Sequence, residues 1–558
     1  MGNVLDCGTS QPSTVEDMQD TTVTANIPGK FIIQQSIPFC DSLFWQLQRM
    51  FYEDNNVKAF ATSEVPSFVT SNAFVANAYA DLILKYLLDW YENPECNKTQ
   101  PVYILEAGAG HGKLGYLILK RLMELKEFWP TQVKHPFIYI LSDFTPATVK
   151  WWNNIGYFDE YKKEGIIDFA VFDCENDNSI HLELSGITYS RGEIKNPLYI
   201  IANYLFDSLK QDVFLFENNN VYRGMLTLSS NQNETIPVKS DVIPRLQYTW
   251  SYQPVPNSEY IYTNEDLNSI IRYYKKNVKS AIVPIPTGSV LFLKNMSDIT
   301  DNKLIILCGD SGNTSISEFT KKDIYISVNG AFSLSVNFHA IDLCMKNRGG
   351  EIFTSPYIDG FRTCIYTYGV NSSLLKRFKW SIQRHLSTFT PDAFFSLQKS
   401  IKDESTPSGR TILSLLRLSG YEGDIFIKYK QILIDKGLIG SVCSNEDLLR
   451  DIQKILDSYY PLQKTKDVCF EVGRMYMGLK EYDKAIRSFK LSNKYCNEHH
   501  ISFYIYILSM CYEHLHLYLD AKDAFEKSLE LKPTYRESKI MLAKLAPLLD
   551  HDSLEHNN

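Results

Sequence analysis

A chain of 558 residues is too long for one compact core, so two or three domains are expected. A formal net charge of −8 with no long basic run argues against nucleic acid as the main partner. No apolar run reaches the roughly 18 residues of a membrane span. The 11 cysteines show neither a C-x-x-C pair nor zinc spacing, so they read as reduced cytoplasmic thiols and no metal site is expected.

Residues 1–30 are polar and read as a disordered lead. Asp6, Glu16, Asp17 and Asp20 make a poor mitochondrial presequence. Met1-Gly2 hints at acylation, but Asp6 stands where that signal prefers Ser or Thr. Residues 31–100 read as a helical lid segment. Leu43, Phe44, Leu47, Met50 and Phe51 have helical spacing, as do Ala76, Tyr79, Ala80, Ile83, Leu84, Leu87 and Leu88. The stretch 64–72 between them is either a loop with a cap at Ser71 or Asn72, or a lid.

Val102–Leu105 predicts a buried strand. It ends at Glu106, and Gly108, Gly110 and Gly112 precede a helix from about Leu114 to Leu125. Strand, glycine turn and helix form the first unit of a nucleotide-binding α/β sheet. A P-loop is excluded, because Ala107 replaces its first glycine and Leu114 its Ser/Thr. A dinucleotide loop fits Gly110 to Gly115 formally, but in a late register. The E/D-x-G-x-G-x-G loop of S-adenosylmethionine (SAM) methyltransferases fits Glu106, Gly108, Gly110 and Gly112 at every defined position. Its acid would face the ammonium of the methionine part. The bland alternative is an ordinary Gly-rich turn.

A second strand, Phe137–Leu141, ends at Asp143, placed for ribose hydroxyls. A third, Ile167–Phe172, ends at Asp173-Cys174, placed to border an adenine; Asp173 is otherwise a turn residue. A fourth, Leu198–Ala202, leads into Asn203 and Asp207, which would face the transferred methyl. Residues 212–228 read as a hairpin turning at Asn218–Asn220. The stretch 229–286 is too long for a plain connection and reads as an inserted substrate-side subdomain, making the insertion about 212–300. Leu304–Leu307 resumes the sheet. His339 is either a general base or a structural histidine, and the structural role is the one expected.

After Asn371 the texture is helical. Residues 376–460 read as a helical connector. Within 461–548, Gly473, Tyr476, Ala485, Phe489 and Ser492 recur 36 residues later as Ser509, Tyr512, Ala521, Phe525 and Ser528, with Pro533 at the end. This is the pattern of tetratricopeptide (TPR) helix pairs, which bind proteins.

The cofactor half, about residues 60–365, resembles the large SAM-dependent methyltransferases related to bacterial MidA and to the mitochondrial methyltransferase of complex I assembly. The resemblance is carried by Glu106–Gly112, by Ala202-Asn203-Tyr204-Leu205-Phe206-Asp207-Ser208-Leu209 and by Val336-Asn337-Phe338. The chain departs from the family at Tyr204, where an acid is usual, at Lys210, where Pro is usual, and at Asn337, where Asp is usual. The resemblance implies a Rossmann-like class I methyltransferase domain over 101–370, SAM as cofactor, and protein arginine methylation in the mitochondrial relative. In that frame Glu106, Gly108, Gly110, Gly112, Asp143, Asp173 and Cys174 hold the cofactor, and Asn203 and Asp207 act in catalysis. The helical domain presents a protein substrate or tethers a complex. Two other readings stand beside it: a non-catalytic TPR adaptor on a degenerate methyltransferase fold, and an NAD-dependent oxidoreductase.

Overall fold

The computed structural model describes residues 30–555, apart from 63, 66, 236–237, 357–360, 389, 404–406, 438–444, 461, 463–466 and 494–500. The expected disordered lead and the acylation signal lie outside the described residues. The chain divides into two units, 1–71 with 78–396, and 72–77 with 397–558.

In the first unit, strand β1 (Phe31–Pro38) leads to helices α1 (Leu43–Asn55) and α2 (Lys58–Ala61), followed by α3 (Ala73–Glu92), which belongs to this unit from residue 78 onward. Residues 31–38 thus depart from the expected helical segment. Strands and helices then alternate through β2 (Val102–Ala107), α4 (Lys113–Glu124), β3 (Phe137–Asp143), α5 (Pro146–Asn154), α6 (Asp159–Glu164) and β4 (Ile167–Val171). The small β5 (Ile180–His181) and β6 (Thr188–Tyr189) pair before β7 (Leu198–Asn203). Next come β8 (Asp212–Glu217), β9 (Asn220–Ser230), β10 (Leu246–Pro254), α7 (Glu265–Asn277), β11 (Ser280–Ile285) and α8 (Thr287–Ile299). The unit continues with β12 (Leu304–Asn313), β13 (Ser327–Asn329), β14 (Ala331–Ser333), β15 (Val336–Asn337), α9 (Phe338–Asn347), β16 (Glu351–Thr354), β17 (Phe361–Tyr368) and α10 (Lys376–Ser387).

The larger sheet has the order β16-β17-β12-β7-β2-β3-β4, with β15 beside β12. β12, β7, β2, β3 and β4 are parallel, and β17 runs antiparallel to β12. Every residue of β2 is buried, as a strand covered on both faces requires. From β2 the chain moves outward to β4, then returns to β7 on the other side of β2. The crevice between β2 and β7 is therefore a topological switch point, where open α/β sheets bind ligands.

The second sheet is antiparallel, in the order β1-β9-β8-β11 with β10 also on β9. Asn218 and Asn219, at φ 47° and 64°, make the two-residue turn of the expected β8–β9 hairpin. One face of this sheet buries Val213, Leu215, Leu226, Leu228 and Ile282 against Phe44, Trp45, Leu47 and Phe51 of α1.

The second unit is helical. After α11 (Pro391–Asp403), which crosses the division, it contains α12 (Gly409–Leu418), α13 (Gly423–Gly437), α14 (Asn445–Asp457), α15 (Val468–Gly478), α16 (Tyr482–Asn493), α17 (Ile501–His514), α18 (Tyr518–Leu531) and α19 (Arg536–Glu555). The repeat residues pack the pairs α15–α16 and α17–α18. A Cβ at Gly473 would meet the Phe489 ring at 2.5 Å, so the glycine allows that aromatic to fill the groove. Ala485, Phe489, Ser492, Ser509, Ala521, Phe525 and Ser528 are buried, and Tyr512 is half-buried.

Candidate functional site

The carboxyl ends of β2, β3, β4 and β7 open on a cavity of about 340 Å³. That is enough for a nucleotide-sized ligand on the scale of small-molecule sites. One wall is the parallel sheet with its turns. The other is made of α1, α2, residues 65 and 67–71, and β14.

The glycine turn fits its wall for steric reasons. Gly108 and Gly110 line the cavity at φ +66° and +55°, which other residues rarely adopt. A Cβ at Gly110 would meet the Phe60 ring of α2 at 2.8 Å. Gly112 does not line the cavity; it caps α4, and Trp152 fills the space beside it. Its expected cofactor contact is thus replaced by packing. Gly115 has its own requirement, since a Cβ there would overlap the Glu106 carboxylate.

Glu106 lines the cavity and accepts from the Tyr139 hydroxyl at 2.8 Å. Burial pushes its carboxyl up to about 8, against the lowering effect of the Tyr139 bond. Burial thus disfavours the charged form of the acid that the glycine-turn motif leads one to expect opposite an ammonium.

Asp143 is buried at the end of β3. Its Oδ1 accepts from the Thr145 N–H at 2.9 Å and the Thr145 hydroxyl at 2.7 Å. Burial raises its pKa, opposed by these bonds and by the Gly110 N–H. Asp143 thus ties the glycine turn to the second strand end. Phe144, the next residue, also lines the cavity.

Asp173 shapes the turn after β4. Its carboxylate accepts from the Glu175 N–H at 2.9 Å and from Asn176 at 2.7 Å. It also pairs with Arg49 of α1 at 2.9 Å. Burial opposes its ionisation, but these hydrogen bonds and the Arg49 charge outweigh it and hold the carboxyl below its usual range. Arg49 lies 4.5 Å from the centre of the Phe144 ring. Cys174 lines the cavity as a buried thiol raised well above its usual value by burial, which leaves it un-ionised.

The turn after β7 carries the other expected pair. Asn203 Oδ1 accepts from the Tyr79 hydroxyl at 2.9 Å. The phenol is the donor to Oδ1 in this amide orientation. Asn203 Nδ2 is then buried without a partner among the described residues. Tyr204 follows at φ +49°, a strained conformation for a tyrosine. Its N–H donates to the Gly309 carbonyl at 2.9 Å and its ring packs on Phe361.

Asp207 lines the cavity and accepts from the Ser208 hydroxyl at 3.0 Å. Behind it, Asp310 of β12 is fully buried and accepts the Asp207 N–H at 3.1 Å. Burial pushes Asp207 up to about 6. Burial, with the charge of Asp207, drives Asp310 well above the usual carboxyl range. Burial thus favours the protonated form of both carboxyls.

The expected residues Glu106, Gly108, Gly110, Asp143, Asp173, Cys174, Asn203 and Asp207 all line this one cavity. Other readings are corrected. Asn337 is fully buried away from it; its side chain caps α9 at the Ala340 N–H and donates to the Pro284 carbonyl. The departure at Asn337 therefore leaves the cavity unchanged. His339 lies off the cavity and bonds the Tyr274 hydroxyl at 2.8 Å, the structural role that was expected of it. No residue of the insertion from 212 to 300 lines the cavity. The second sheet acts indirectly, as the base on which α1 rests. Residues 67–71 do line the cavity, and Asn72 accepts the Val75 N–H at 3.0 Å, so the stretch is both wall and cap.

Sequence reasoning expected a helical lid over 31–100 but did not single out the residues that face the cavity from the opposing wall, Trp45, Gln48, Arg49, Tyr52 and Phe60, nor Phe332. It also missed His111, whose Nδ1 accepts the Lys113 N–H at 3.0 Å while Nε2 donates to Ser67 at 2.9 Å. The position of His111 between Gly110 and Gly112 was the available signal. Among the described residues, no helix is long and apolar enough to cross a membrane.

No known protein family matches the chain, and no curated protein matches it. Several solved structures are distantly similar. One is an uncharacterised protein from Burkholderia thailandensis, at 11% identity and TM-score 0.38, covering 61% of this chain and 90% of that one. Another, from the same superfamily and organism, is a proposed methyl transferase bound to S-adenosyl-homocysteine, at 10% identity and TM-score 0.39, covering 60% and 89%. A third is an O-methyltransferase family protein from the same organism, at 8% identity and TM-score 0.26, covering 58% and 63%.

Proposed function

We propose that the chain is a SAM-dependent methyltransferase. The observation that carries this is one cavity, at the switch point of the sheet, bringing together the glycine turn, Asp143, Asp173, Asn203 and Asp207. Glu106, Gly108 and Gly110 would hold the methionine end of SAM, Asp143 the ribose, and Phe144 with Asp173 and Cys174 the adenine. Asn203 lines this cavity together with Tyr204 and Asp207.

Two features weigh against a dinucleotide. A pyrophosphate needs free N–H groups at the start of the helix, but His111 already takes the Lys113 N–H. The sheet also carries the antiparallel β17 between β12 and β16, unlike an all-parallel dinucleotide sheet.

SAM supplies an activated methyl group by its own chemistry. The protein's part is alignment and proton removal. Asn203 orients the acceptor and Asp207 receives its proton. Tyr204 and Asp310 hold the turn that positions both. The 36-residue recurrence across α15–α18 supports TPR-like repeats, and we read the helical unit as the docking site for a protein substrate. The motifs quoted above support kinship with the MidA-like methyltransferases.

Calorimetric titration with SAM and S-adenosyl-homocysteine tests the reading. Binding by the parent and none by Gly110→Arg is expected. A parent that binds neither ligand sinks it and moves the weight to the helical unit as an adaptor.

A further inference from the structure

His111 stands in the glycine turn, between Gly110 and Gly112, and is only 3% exposed. Its two ring nitrogens serve two different segments. Nδ1 accepts the Lys113 N–H at 3.0 Å, and Nε2 lies 2.9 Å from the Ser67 hydroxyl. A backbone N–H can only donate, so Nδ1 is the bare acceptor and Nε2 carries the proton. The imidazole thus uses one nitrogen to hold the start of α4 and the other to hold residues 67–71.

Those residues form a short strap. All five line the cavity, and Phe68 is also 56% exposed, so the strap lies where the cavity meets solvent. The Ser71 N–H donates to the Ser67 carbonyl at 2.9 Å, which closes the strap into a turn that starts at Ser67. The Phe60 ring packs edge-on against the imidazole, with 5.2 Å between ring centres. Parting Ser67 from His111 would leave a buried N–H without its partner, which favours the closed strap.

We propose that His111 is a latch: its bond to Ser67 holds the strap across the mouth of the cavity and slows release of the spent cofactor. His111 is then a positioning residue that acts through the strap. The inference rests on the methyltransferase reading and adds a step to it, because the strap has to part from the glycine turn before S-adenosyl-homocysteine leaves. Opening of such a segment sets the turnover of many enzymes.

Release of S-adenosyl-homocysteine from the full-length chain is followed by stopped-flow displacement, read by tryptophan fluorescence because Trp45 lines the cavity. His111→Asn keeps an oxygen for the Lys113 N–H but is too short to reach Ser67. Ser67→Ala cuts the same bond from the other side. Each is expected to speed release about fivefold, the worth of one hydrogen bond. The double variant should release no faster than either single one, since all three lack the same bond. Ser67→Thr keeps the hydroxyl and should release at the parental rate. A parental rate in either His111→Asn or Ser67→Ala, or effects that multiply in the double variant, overturns the inference and leaves the methyltransferase reading in place. A parent that binds no S-adenosyl-homocysteine overturns both.

Discussion

The two walls of the cavity are built on different principles. The sheet wall is one continuous run of strand ends, where backbone geometry does the work and glycines sit at φ +66° and +55°. The opposing wall is a set of side chains on α1 and α2, held by a second sheet whose own residues stay off the cavity. The first should tolerate almost nothing. The second should adjust.

The largest effect is expected at Gly110. Arginine there must adopt a positive φ and displace the Phe60 ring, so cofactor binding should fall below detection by calorimetry, while circular dichroism stays parental. Across the cavity, Phe60→Ala removes a ring that packs on the same turn and on His111. It should weaken binding of S-adenosyl-homocysteine by about tenfold to a hundredfold, the scale of losing a buried aromatic side chain. If Phe60→Ala proves as severe as Gly110→Arg, the contrast between the walls fails.

Glu106 sharpens the comparison from the sheet side. Its carboxyl titrates at about 8 in the folded chain, against an ordinary 4.5. A carboxyl raised by folding stabilises while protonated, and that contribution is lost as pH climbs from the lower value through the upper. Glu106→Gln should match the parental Tm near pH 5 and exceed it by a few degrees at about pH 8.5. In the parent, an arriving ammonium should release a proton at about pH 7. Calorimetry in two buffers of different ionisation enthalpy would show that release, and Glu106→Gln would lack it.

The smallest effect is expected at Arg49. Its side chain is 36% exposed and its bond to Asp173 is partly screened. Arg49→Met uncovers the face of Phe144 and should raise affinity for S-adenosyl-homocysteine by no more than about threefold. A large loss would make Arg49 a direct ligand contact.

The same contrast explains what the sequence revealed. The sheet wall follows from local rules. A strand, an acid and spaced glycines are adjacent in the chain, and Asp143, Asp173 and Asn203 each end an apolar run. Gly115 was legible only as part of a rival motif, although its role is to make room for Glu106. The helical wall depends on long-range packing. Nothing near Gln48 or Arg49 announces that α1 will reach the turns after β3 and β4. Residues 31–38 misled for the same reason: β1 becomes a strand because β9 offers it an edge. Asn337 misled in the other direction, since a position that matches a motif turned out to serve as a helix cap.

The pairing of β1 with β9 joins Phe31 to Ser230. During synthesis, β1 therefore emerges long before its partner exists. Closing so large a loop is slow, and contacts of such sequence separation form late. The parallel sheet needs no residue before 102 to start assembling its strands. A growing chain thus completes the floor of its cavity while α1, with Trp45 and Phe44, still lacks the surface that will cover it. Those aromatic residues are the part of the nascent protein most in need of shelter from aggregation.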